Sequence, residues 1–149
     1  MKNYLRFGVM IATSIIVMFM LMYLDTYRWE HIFFSDQILY MAIMMGGAMA
    51  IIMMGFMFKM YKKKLVNIFI FIGSFLIIVL AIFLLRSQAT TGDVSFMRSM
   101  IPHHSQAIIR SERANITDTR VQELANEIIE AQREEIEEMK RLIEDLEAN

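Results

Sequence analysis

Three stretches of this chain run uncharged over lengths that match a lipid bilayer. Residues 7–24, 38–58 and 65–85 contain no Asp, Glu, Lys or Arg over 18, 21 and 21 positions. At about 1.5 Å rise per residue, roughly 20 helical residues cross a hydrocarbon core of about 30 Å. The runs therefore predict three transmembrane helices within a membrane domain of residues 1–86, and they account for an apolar content of 56%. Lys2 and Arg6 would suit the basic start of a secretory signal. The following "YLDTYRWE" offers no small-x-small cleavage pattern, so the first run reads as an uncleaved anchor.

After a polar linker at 87–93 the chain changes character. Residues 94–149 carry 7 Lys+Arg and 12 Asp+Glu, whereas residues 1–93 carry 8 and 4. An acidic half of this kind would repel phosphate, which argues against a nucleic-acid partner. The chain has no cysteine, so disulfides, thiolate metal sites and a thiol nucleophile are excluded.

Loop charges predict the orientation. Lys59, Lys62, Lys63 and Lys64 crowd the second loop, and the first holds Arg28 against three acids. The basic loop should stay in the cytoplasm, with the N-terminus inside and the C-terminal domain outside. Tyr23, Tyr27 and Trp29 then fall where an outer aromatic belt is expected.

Thirteen of the 16 methionines lie in residues 1–60, and Met41, Met45, Met49, Met53 and Met57 recur at steps of four. Such a row winds slowly around a helix. It could be a thioether track for a soft cation, or flexible filler between packed helices. The spans lack interior acids and histidines, the usual marks of an ion pathway, so filler is the expectation. Ala42, Gly46 and Ala50 form a small-residue row suited to close helix approach.

The C-terminal part predicts two helices, about 94–114 and 120–147, joined by the turn "NITDT". Asp93 is the expected cap of the first. Asp118 or Thr119 is expected to cap the second, with Thr119-x-x-Gln122 at capping-box spacing. Val121, Leu124, Ile128, Ile136, Met139, Ile143 and Leu146 keep a helical repeat, with a polar gap at Gln132 and Glu135. A 56-residue antiparallel hairpin buries little apolar surface alone. Two copies would complete a four-helix bundle, so a homodimer or higher homo-oligomer is expected.

The stretch "MRSMIPHH" carries the chemistry. Met97, Met100 and His104 stand at i, i+3 and i+7 on one helical stripe, and His103 flanks it. Pro102 should kink the helix and splay the histidines. With the turn centred near residue 117, the antiparallel counterparts of His104 and Met97 lie near 130 and 137. Gln132, Glu135 and Met139 fall in or just beyond that zone. Thioether and imidazole together suit Cu(I) and are poor for Mg²⁺, Ca²⁺ or Zn²⁺. Bundle di-iron sites use Glu-x-x-His. Here the corresponding spacing is Met100-x-x-His103, without the hard oxygen that iron needs. Each residue alone is ordinary packing, and His104 against Gln132 or Glu135 could be a satisfied core histidine. Four such residues within eight positions point to a metal.

"FMRSMIPHHSQAI" followed by "LANEIIEAQREEIEEM" resembles the domain-of-unknown-function 305 family, over roughly residues 93–146. The resemblance implies a ferritin-like helical fold, membrane-anchored or secreted, with copper-binding members. It points to Asp93, Met100, His103, His104, Gln132, Glu135 and Met139; Met97 is added from spacing alone.

The whole predicts an all-α protein: three membrane helices, then an extracytoplasmic hairpin at 94–149. Met97, Met100, His103, His104 and Met139 are the expected copper ligands, with Asp93, Gln132 and Glu135 supporting them. A copper donor or acceptor protein is an implied partner. No nucleophile–base pair or phosphate loop suggests an enzyme. A purely structural oligomerising module is the alternative.

Overall fold

A computed structural model describes residues 2–148. Among these the chain is all-helical: α1 (Lys2–Leu21), a short 3₁₀ turn (Trp29–His31), α2 (Asp36–Phe56), α3 (Lys64–Ser87), α4 (Asp93–Arg113) and α5 (Thr119–Ala148). The first three long helices are long and apolar enough to cross a membrane. The chain divides into two compact units.

The first unit comprises residues 1–22 and 37–90. Its core gathers Phe7, Ala50, Met54 and Tyr61, with Ile11, Met53, Ile70 and Phe71 against them. Small residues on α2 permit this packing. Ala42, Gly46, Gly47 and Ala50 are all buried. A Cβ on Gly46 would collide with the Ile15 side chain, and one on Gly47 would meet Ile78 Cγ1 at 3.0 Å and the Ser74 carbonyl at 3.2 Å. The methionine row does not form a buried track. Met45 is exposed, and the fully buried methionine, Met54, stands outside the row. Met53 and Met57 of the row pack against the core, a placement that suits flexible thioethers.

The second unit comprises residues 23–36 and 91–149. The segment between α1 and α2 thus packs with α4 and α5, a placement that a cut at the 87–93 linker does not anticipate. Helices α4 and α5 lie antiparallel: Arg98 pairs with Glu147, and Glu112 with Arg133 nearer the turn. Between them lies a core of Met97, Ile101, Ile108, Ile136 and Ile143, joined by Tyr27, Phe33, Val94, Ile129 and Met139. Of the three aromatics expected in a belt, only Trp29 is exposed. Tyr23 is buried, with its hydroxyl accepting the Ser35 N–H at 3.1 Å, and Arg28 and Arg133 both stand over the Tyr27 ring.

One local expectation is corrected. Gly92, not Asp93, occupies the N-cap of α4, and no side chain caps it. Asp93 is the first helical residue, where its charge complements the positive end of the helix dipole. Pro102 is buried inside α4, which continues through it to Arg113 without a break. At the start of α5 the cap is Asp118: its carboxylate accepts the Arg120 N–H at 2.9 Å, in place of the Thr119 capping box.

Candidate metal centre

The apolar stripe of α4 sets the site. Met97 and Ile101 turn inward with the core, and Met100 and His104 follow one helical step to the side. On α5 the matching stripe carries Met139 and Leu142, with Glu135 beside it. Between the two helices opens a cavity of about 600 Å³ lined by Met97, Met100, His104, Glu135, Met139 and Leu142. Asp93, Glu138 and Asp145 also line it, which gives a thioether-rich interior four acids in all.

His104 is held at both ring nitrogens. Nδ1 lies 2.9 Å from the Met100 carbonyl, four residues back. A carbonyl only accepts, so Nδ1 carries the hydrogen. Nε2 then faces a Glu135 oxygen at 2.8 Å. Gln132 Nε2 donates to the same Glu135 oxygen at 3.3 Å. A chain of contacts therefore runs from Gln132 through Glu135 and His104 to the Met100 backbone. Fixing Nδ1 on a carbonyl is how metal-binding imidazoles are commonly oriented, with Nε2 as the coordinating nitrogen. At that separation Nε2 and the carboxylate share a proton, so a cation on Nε2 would have to displace Glu135.

The sequence-predicted residues divide accordingly. Met97, Met100, His104, Met139, Glu135 and Asp93 line one cavity. Gln132 supports it through Glu135. His103 does not line it: its side chain is exposed on the flank of α4, its ring centroid 6.1 Å from that of His104. Consecutive helical residues point about 100° apart, so one histidine turns in and its neighbour out. The counterpart of His104 is Glu135 rather than a residue near 130. Helical side chains lean toward their own N-terminus, which on antiparallel helices carries them in opposite directions along the pair.

The donor set decides what could bind. Among the described residues no group of three or more His, Asp or Glu is assembled for a metal ion. Three thioethers with one imidazole fit a soft monovalent cation.

Residues without an obvious sequence signal brace the back of α4. Ser105 is fully buried; its Oγ accepts the Tyr27 N–H at 2.7 Å and lies 2.9 Å from His31 Nδ1. Asp25 accepts from Gln106 at 2.8 Å and lies 3.5 Å from Arg110. Ser95 donates to Asp36 at 2.8 Å. The segment 23–36 thus grips the helix that carries both histidines. Burial pushes the His31 pKa down, helped by Lys140 and Arg28 and opposed by Glu137 and Glu30.

Comparison with known proteins adds a family to this geometry. An uncharacterized protein of Acanthamoeba polyphaga mimivirus is 39% identical over 71 residues, which cover 46% of this chain and 47% of that protein. The chain thus spans about half the length of the curated relative it matches. No solved structure matches. Residues 93–149, the part of the chain that carries every residue of the cavity, match the family described as "Domain of unknown function (DUF305)".

Proposed function

We propose that the chain is a membrane-anchored copper-binding protein that sequesters Cu(I), or hands it on, outside the cytoplasm. The observation that carries this reading is the convergence of Met97, Met100, Met139 and His104 on one cavity. These four would hold the ion, and Glu135, itself steadied by Gln132, would orient the imidazole. Acidic side chains at the cavity would draw cations toward it. The basic α2–α3 loop supports an outward-facing second unit by the positive-inside rule. The exposed apolar residues Phe96, Val121, Leu124, Leu142 and Leu146 support pairing of two copies into a four-helix, ferritin-like bundle. A copper donor or acceptor is the partner this role requires.

Single substitutions in the full-length, detergent-solubilised protein test the reading. His104→Ala should weaken Cu(I) binding by at least about tenfold, the scale on which metal sites respond to a lost contact. His103→Ala should do much less. If the double variant binds Cu(I) as tightly as the parent, the assignment fails.

One observation favours a second reading, a structural oligomerising module. Both nitrogens of His104 already have protein partners, as in a satisfied core histidine. This reading expects Cu(I) to change neither the melting temperature nor the oligomeric state.

A further inference from the structure

The first unit contains no Asp or Glu at all, yet it carries Lys2, Arg6, Lys59, Lys62, Lys63, Lys64 and Arg86. Six of these seven cluster in the α1 start and the α2–α3 loop. None of the ion pairs found among the described residues involves them. Charge of one sign, gathered without a protein counterion, needs an external anion.

The loop is also built into a shape. Buried Asn67 donates through Nδ2 to the Tyr61 carbonyl at 2.9 Å and accepts the Tyr4 hydroxyl at 2.9 Å. The Lys63 N–H donates back to the Tyr4 oxygen at 3.1 Å. Tyr61 is buried, with its ring 4.9 Å from Tyr4 and 5.7 Å from Phe7. This network pins the loop to α1 and α3. It leaves a cavity of about 370 Å³ lined by Lys2, Asn3, Tyr4, Met60, Lys62 and Lys63 among others. Three lysines and an asparagine stand among its lining residues, with Met60 and Tyr61 as apolar neighbours.

We propose that this cavity binds the phosphate of an anionic lipid headgroup. Lys2, Lys62 and Lys63 neutralise it, and the Tyr4–Asn67 network holds the loop in the shape that receives it. The inference rests on reading the three apolar helices as membrane spans and is independent of the copper reading. A membrane supplies this anion at high density where basic loop residues meet the headgroups, and each lysine near such a surface adds favourable energy.

Native mass spectrometry of the full-length protein, delipidated and offered phosphatidylglycerol and phosphatidylcholine in equal amounts, provides the test. Phosphatidylglycerol should be retained in preference. Lys62→Gln with Lys63→Gln should cut that retention roughly tenfold or more, and Lys62→Arg with Lys63→Arg should keep most of it. Lys59→Gln with Lys64→Gln removes equal charge from the same loop outside the cavity and should have a much smaller effect. Equal retention of both lipids overturns the proposal. So does an equal loss in the two Gln pairs, which would mean diffuse charge without a site. Displacement of the lipid by millimolar inorganic phosphate would assign the cavity to the free anion instead and overturn the lipid assignment.

Discussion

The two units use methionine in opposite ways. The first holds 13 of the 16; Met53, Met54 and Met57 join its core, while Met10, Met20, Met45 and Met60 are exposed. The second holds three, and all three line the same cavity as His104. Under the proposed copper reading, abundance of a soft ligand does not mark the site. Convergence with an imidazole does, because a cation needs several donors at one point.

The most forceful way to break this contrast is to exchange the methionines of each unit for leucine. Met97→Leu, Met100→Leu and Met139→Leu together should lower Cu(I) affinity by at least about a hundredfold, at about tenfold per contact for two or more of them. The same exchange at Met41, Met45, Met49, Met53 and Met57 should leave it unchanged. Competition with a chromophoric Cu(I) chelator reads both. A copper loss in the second set would restore the membrane methionines as a pathway.

The cores differ as well. Ile101 is fully buried between α4 and α5, so Ile101→Ala should destabilise the second unit by about 2–5 kcal/mol. In the first unit, Gly47→Leu drives a side chain against the Ser74 backbone and should cost about 1–3 kcal/mol. Thermal melts in detergent compare the two. The glycine effect would vanish if the helices were free to separate.

A smaller effect concerns pH. Burial lowers the His31 pKa in the folded protein, below about 6.5 in the unfolded chain. The unfolded state then binds more protons across that interval, so stability is lost as pH falls through about 6.5 and below. His31→Gln should flatten this part of the pH dependence of melting. An unchanged slope would remove His31 as its source. The smallest effect belongs to Asp118→Asn, which keeps a capping oxygen for the Arg120 N–H but loses the charge; the Arg120 guanidinium holds the Asp118 carboxyl below its usual range. A slight fall in melting temperature, smaller than for Ile101→Ala, is expected.

Much of the fold was legible in sequence because its signals are local. Uncharged runs reveal α1 to α3, and the helical repeat from Val121 to Leu146 reveals α5. The cavity residues were legible for the same reason, since Met97, Met100 and His104 share one stripe. What stayed hidden depends on distant partners. His31, Tyr27 and Asp25 reach α4 across about 80 residues of sequence, and no periodicity encodes that. The pairing of His104 with Glu135 was one of two the sequence offered, and the choice over Gln132 depends on how side chains lean along the helix axis. Asp93 gave way to Gly92 as cap: both suit that position by type, and the two differ by a single residue of register.

X-ray absorption at the copper edge of the full-length protein loaded with one equivalent of Cu(I) tests the central claim most directly. Sulfur neighbours of copper, lost in the Met97→Leu, Met100→Leu, Met139→Leu variant, are the predicted result. A copper environment of nitrogen and oxygen alone, or sulfur that persists in that variant, would contradict it.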